Sequence, residues 1–419
     1  MPENKPEILA PAGNLEKLYF ALQYGADAVY VGGKEYSLRA GAGNFSLADL
    51  QTGLGLAHGQ GKKLYVAVNI FAHNRDLPAL PSYLQALNAL GVDGLIISDP
   101  GVFQLAREHA PAIPLHISTQ ANNLNWQSAR FWAAQGAQRI ILGRELSLAE
   151  AAEIRAKGGL ETELFVHGAI CISYSGRCLL SSFLAERDAN QGNCAHPCRW
   201  QYRLHYALEE QKRPRQYMPI EEDAHGAYIL NSKDLCLLPY IQALLDSGAQ
   251  AWKIEGRNKS AYYVANTVRV YRAALDAAWT AREKGEDYTP APELLAELAK
   301  ISHREYTSAF ALGDTPDGQE YRYADGDSLR GYDFCGVLQE ANGREWVIEQ
   351  RNHMQVGDII EILQPDMADI RLCIGQILDN EGQTRQTASH PLEQIRIPCP
   401  LFAKTPAIIR RLPRKPATL

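Results

Sequence analysis

Short apolar runs and amphipathic segments take turns along the first 260 residues. Eight runs, EILAP (7–11), DAVYVG (27–32), KLYVAVN (63–69), DGLIIS (93–98), PLHIS (114–118), QRIIL (138–142), ELFVHG (163–168) and AWKIEG (251–256), are nearly continuously hydrophobic and rich in β-branched residues. Parallel strands buried on both faces have this pattern, whereas a half-exposed strand alternates. Between them, segments such as NLEKLYFALQYG, LPSYLQALNALG and NWQSARFWAAQG repeat apolar residues at three- and four-residue spacing and close on glycine, as helices do. Eight β–α alternations predict a (β/α)8, TIM-like barrel over residues 1–330. A doubly wound open sheet is the alternative, because alternation does not reveal closure. From residue 332 the texture changes: FCGVLQEANGREWVIEQ, VGDIIEIL and IRLCIGQILDNEGQ alternate between ANG and DNEG turns. They predict a small antiparallel β-barrel over 331–419.

In such a barrel the active site lies where the strands end and the βα loops converge. That rule selects Pro11, Gly13, Asn69, Ser98, Asp99, Ser118, Gln120, Arg144, Glu145, His167, Glu255 and Arg257. A polar residue there either meets substrate or caps the next helix. Asn69, Gln120, Arg144 and Arg257 are the candidate substrate-binding residues, and His167, Lys253 and Glu255 the candidate catalytic ones. Period-two alternation in KIEGR puts Lys253, Glu255 and Arg257 on one side, where they bind an anion or pair with charges inside the barrel. His167 is either a base or a packing residue.

The seventh connection is anomalous. Roughly 80 residues separate ELFVHG from AWKIEG, against a usual two to six, so an insertion at about 169–230 is expected at the barrel mouth. The stretch NSKDLCLLPYIQALLDSG is expected to form the last barrel helix, capped by Asn231 or Ser232 with Cys236 packed in the core. Of eight cysteines, none precedes residue 171 and five fall between Cys171 and Cys236. Six residues including Ser173, Ser175 and Gly176 separate Cys171 from Cys178, and three including Pro197 separate Cys194 from Cys198. Four thiolates so spaced bind an iron–sulfur cluster or zinc, or remain buried thiols; the wide first pair suits a cluster. His196 and Cys236 are reserve ligands.

The chain is 46% hydrophobic and 21% charged, the balance of a folded protein. With no apolar leader or spanning run, a cytoplasmic location and no membrane partner are expected. A net charge of −6 gives no global pull on nucleic acid, so RNA contacts would fall to local clusters: Arg410, Arg411, Arg414 and Lys415, or Lys212, Arg213 and Arg215. No HExxH, GxSxG or P-loop occurs, YVGGKEY does not fit GxGxxG, and Cys171 near His167 meets the cysteine-protease pattern only nominally.

The segments EILAPAGNLEKL, DAVYVGG, ELFVHGAICISYSGRCLLS, NQGNCAHPCRWQY, NSKDL and KIEGR together resemble the peptidase U32 family over essentially the whole chain. The length, YSGRCLLS, CRW and the C-terminal β-rich region look most like its tRNA-modifying branch. That resemblance implies a 4Fe-4S cluster on Cys171, Cys178, Cys194 and Cys198. It also implies oxygen-independent hydroxylation of uridine to 5-hydroxyuridine at the tRNA wobble position, with prephenate as co-substrate. Some relatives carry a ligand upstream of the segment matching NSKDL; here no cysteine lies between Cys198 and Cys236, which leaves Cys198 as fourth ligand. Other relatives hydroxylate ribosomal RNA or ubiquinone precursors, and the older family label is collagenase-like protease. Tyr174, Trp200 and Tyr202 are candidates to stack a base. A protein partner or homo-oligomer is left open.

Overall fold

The computed structural model describes residues 4–37, 43–170, 233–313 and 331–412, with the backbone of four short strands between 208 and 228. Strands β1 (Glu7–Pro11), β2 (Ala28–Gly32), β3 (Lys63–Val68), β4 (Gly94–Ile97), β5 (Leu115–Ile117), β6 (Arg139–Ile141) and β7 (Glu161–Ala169) run parallel in sequence order. The eighth barrel strand, Ala251–Ile254, pairs with β7 on one side and β1 on the other. This closure decides for the TIM-like barrel over the open sheet. Each strand coincides with a predicted apolar run.

Helices α1 (Leu15–Gln23), α2 (Leu47–His58), α3 (Leu80–Leu90), α4 (Pro100–His109), α5 (Trp126–Gln135) and α6 (Leu148–Gly158) fill the first six connections. Ser46 with Asp49 and Ser147 with Glu150 form reciprocal capping boxes, which satisfy amide donors that a helix start leaves unpaired. Asp99 is used up as the cap of α4.

The segment expected as the last barrel helix instead begins as a strand, Asp234–Cys236, and only Ile241–Asp246 is α-helical. The reason lies in β7. Its nine residues outrun the barrel, and Asp234–Cys236 pairs antiparallel with its projecting edge at His167–Ala169. After the barrel comes a long helix, Ala261–Glu283, and a short one, Pro292–Leu298. Among the described residues no helix is long and apolar enough to cross a membrane.

The C-terminal part is a curled antiparallel sheet of eight strands, from Asp333–Ala341 to Ala407–Arg411, around a core that includes Trp346, Ile360 and Ile395. Its junction with the barrel is charged, with its two arginines buried. Arg269 of the long helix and Arg410 of the last strand are fully buried and share the carboxylate of Glu297. Lys300 lies 2.7 Å from Glu297, and Arg410 lies 3.0 Å from Glu361 and 3.3 Å from Asp369. The Tyr24 hydroxyl donates to the Leu363 carbonyl across the same junction at 2.7 Å. Arg410 and Arg411 are therefore not the basic tail expected from the sequence. Arg411 is buried against Asp333 and Asp358, at 3.3 and 3.7 Å. Arg414, Lys415, Lys212, Arg213 and Arg215 lie outside the described residues.

Candidate functional site

Charged residues that open the apolar strands converge inside the barrel and floor it. Glu7 accepts from Tyr65 at 2.8 Å and Arg139 at 3.1 Å, and pairs with Lys63 at 3.0 Å. Arg139 also meets Glu161 at 2.8 Å and Glu163 at 3.4 Å. Above them Lys253 donates to Glu163 at 2.7 Å, its ammonium 4.3 Å from the Tyr30 ring centre. Burial would raise the Glu7 carboxyl, but Arg139 and Lys63 outweigh it and hold it below its usual range. Burial draws Lys253 below the usual lysine range, and the Glu163 carboxylate opposes that shift. Lys253 is thus a member of the floor. The ion-paired reading describes its contact with Glu163, and its ammonium also lies 5.5 Å from the centre of the Phe165 ring that Arg144 covers.

The mouth lies above this floor. The Tyr30 hydroxyl stands 3.3 Å from Glu255 Oε2. The Arg144 guanidinium lies 3.8 Å over the Phe165 ring and 4.0 Å from Glu255. Arg257, nearly fully buried, donates to Ser37 Oγ at 2.8 Å. A β-carbon on Gly32 would lie 2.0 Å from Arg257 Nη1, so glycine there leaves the guanidinium its berth. Across the opening Asn69 Nδ2 donates to Gln120 Oε1 at 2.9 Å, while Ser98 Oγ donates to the Asn69 carbonyl at 3.0 Å. The structure therefore gathers Asn69, Gln120, Arg144, Glu255 and Arg257 at one end of the barrel. Tyr30, Ser37 and Phe165 belong there too and were missed; the signal was their position on or just after a barrel strand.

His167 does not join them. Pairing between β7 and the eighth strand steps from Phe165–Lys253 to His167–Ile254, so Val166 is bulged out. Such an extra residue re-aims the side chains beyond it. His167 faces the long helix, in ring contact with Tyr263, Tyr271 and Tyr306 at 5.3–6.0 Å. Neither ring nitrogen has a hydrogen-bond partner among the described residues. Burial, the largest cause, drives its pKa down to about 3, helped by His303 and Lys259 and opposed by Asp234. The expectation of a mouth base at His167 is corrected by this bulge. An unfolded histidine takes up a proton near pH 6.5, which the folded chain refuses down to about pH 3. Stability therefore falls as pH drops through that window, by up to about 1.4 kcal/mol per pH unit. His167→Phe, which keeps a ring among the tyrosines, is expected to retain about 2 kcal/mol more of its neutral-pH stability at pH 5 than the wild type. Urea midpoints at pH 7 and pH 5 measure this, and equal losses would place the acid sensitivity elsewhere.

Cys171, Cys178, Cys194 and Cys198, with His196 and the aromatics Tyr174, Trp200 and Tyr202, lie outside the described residues. Cys171 directly follows Ile170, which is buried just past the end of β7. Cys236 is buried with its sulfur 4.0 Å from the Tyr271 hydroxyl, and burial pushes its thiol up to about 11. Core packing accounts for it.

Barrels of this kind hold their sites at the ends of the strands, where Asn69, Gln120, Arg144, Glu255 and Arg257 lie. Residues 13–320 match Peptidase family U32, and residues 330–410 match the Peptidase family U32 C-terminal domain. The chain belongs to the peptidase U32 family. It is 40% identical over 394 residues to tRNA hydroxylation protein P1 of Bacillus subtilis, covering 94% of this chain and 91% of that protein. It is 39% identical to tRNA hydroxylation protein P of Escherichia coli, covering 94% of each. The 23S rRNA 5-hydroxycytidine C2501 synthase of Escherichia coli is 36% identical over 65% of this chain and 39% of its own length.

Proposed function

We propose that this chain is an RNA-modifying enzyme that hydroxylates uridine to 5-hydroxyuridine at the wobble position of tRNA, without molecular oxygen. The observation that carries the reading is end-to-end similarity, at about 40% identity, to proteins named for tRNA hydroxylation. The mouth is chemically suited to it. A pyrimidine turned out of its strand needs a recess with a stacking surface and hydrogen-bonding groups for its edge. Phe165 with Arg144 gives the first, and Asn69 and Gln120 the second. Glu255 is the carboxylate in reach of that recess to hold or pass a proton, and Arg257 is the guanidinium for an anionic co-substrate such as prephenate.

Four thiols on one connection, the first adjoining Ile170 at the end of β7, form a donor set that fits a 4Fe-4S cluster. Cys171, Cys178, Cys194 and Cys198 would hold it, and bound there it would supply a redox or polarising centre beside the mouth. Protein purified without oxygen is expected to be brown, with about four iron atoms per chain. Colourless protein carrying one zinc overturns the cofactor.

Nucleoside mass spectrometry of tRNA and ribosomal RNA from a strain lacking this chain and its paralogues tests the activity. Loss of 5-hydroxyuridine from tRNA, restored by the wild type and not by Cys171→Ala, is the expected result. Unchanged 5-hydroxyuridine overturns the reading, and loss confined to a ribosomal nucleoside reassigns the substrate. Proteolysis abolished by Cys171→Ala with tRNA unaltered would favour the peptidase alternative.

A further inference from the structure

We infer that the loop carrying Phe402, on the C-terminal sheet, is a stacking platform for an unpaired nucleobase of the substrate RNA; this rests on the RNA reading above. At 75%, Phe402 is the most exposed large hydrophobic side chain among the described residues. It does not ride on a loose tip. The Cys399 amide donates to the Arg344 carbonyl at 3.0 Å, Trp346 Nε1 to the Leu401 carbonyl at 2.8 Å, and the Lys404 amide to Gln364 Oε1 at 3.0 Å. The ring rests on the turn glycine Gly343, where a β-carbon would stand 2.5 Å from the ring Cζ and 2.9 and 3.1 Å from two further ring carbons. That glycine also has φ +78°, so the close approach and the turn both depend on it. The ring is backed on one side and open to water on the other.

Arg344 adjoins Gly343 in the turn, and Lys404 lies two residues beyond the ring. Arg344 is exposed and has no ion pair among the described residues. Lys404 is exposed beside Asp366, and Arg396 lies 3.7 Å from Glu345. Arg344 and Lys404 thus bring two exposed cations to the turn and the loop that hold the ring. A stable protein interface needs a broad face, on the order of 800 Å² per partner, and here Leu401 alone of the exposed large hydrophobics adjoins the ring in sequence. One rigid ring flanked by cations is what a base and its neighbouring phosphates require.

Fluorescence anisotropy of the full chain with an unmodified tRNA transcript and with oligouridylate, at two salt concentrations, tests the platform. Phe402→Ala is expected to weaken both probes about tenfold. Phe402→Trp should bind as the wild type does, and Arg344→Ala should lower the salt slope by about one. Melting temperatures of all three should match the wild type, which separates lost binding from lost fold. Wild-type affinity in Phe402→Ala overturns the inference, and so does an effect of that variant on self-association alone, which would make the surface a protein contact. If the wild type binds and hydroxylates tRNA while Phe402→Ala is indistinguishable from it, only the platform falls. If the wild type binds neither RNA, the proposed function falls with it.

Discussion

Glu297→Ala is expected to lower unfolding free energy by about 3–5 kcal/mol, the usual cost of removing one partner from a buried charge cluster. Glu297 is the carboxylate shared by Arg269 and Arg410, both fully buried, and it also pairs with Lys300. Its loss leaves the two buried guanidiniums with Asp369 and Glu361 as their carboxylates and with neutral partners such as Asn266. Burial by itself would raise the Glu297 carboxyl; Arg410, Arg269 and Lys300 outweigh it and hold it at about 2. The wild type therefore keeps this contribution at neutral pH and loses it as pH falls from about 4.5 towards 2. Urea unfolding at pH 7, with limited proteolysis to detect early release of the C-terminal sheet, measures the effect. A loss below about 1 kcal/mol would mean that the apolar part of the junction holds the two parts together.

Glu163→Ala should cost a similar amount, about 3–5 kcal/mol, for a related reason. Glu163 has no solvent exposure and lies between Lys253 and Arg139; removing it strands Lys253, while Arg139 keeps Glu7 and Glu161. The paired replacement Glu163→Leu with Lys253→Met removes both charges at similar volume and is expected to recover most of the loss, since apolar pairs often replace buried ion pairs at little cost. It also separates a floor residue from a catalytic one. The double variant should still form 5-hydroxyuridine, measured by nucleoside mass spectrometry against its own urea midpoint. A stable but inactive double variant would return Lys253 to the chemistry.

The barrel was legible because parallel strands buried on both faces leave long apolar runs, and all eight from EILAP to AWKIEG recur as strands. The mouth was legible to the extent that strand ends were: Asn69 bonds Gln120, Arg144 lies near Glu255, and Arg257 bonds Ser37, all just past barrel strands. What failed depended on local departures from period two or on distant pairing. A single bulged residue, Val166, carries His167 out of reach of the mouth, and alternation counted along ELFVHG has no means of registering it. Asp234–Cys236 is a strand because β7 leaves an edge to be covered, a fact about a neighbour and not about NSKDLC. Arg410 reads as a basic tail until Glu297, 113 residues earlier, is found beside it. The floor was missed although a charge opens β1, β3, β6 and β7, because a lone charge at a strand start ordinarily marks the solvent boundary.

That floor fills the barrel's interior with buried ion pairs. A ligand bound beside Arg144 and Glu255 would rest above the Lys253–Glu163 pair, which is buried, and not above solvent. Under the proposed function, a smaller reactant held between that floor and the RNA would have to bind before the RNA does. The order of binding would then follow from a few ion pairs that touch neither reactant.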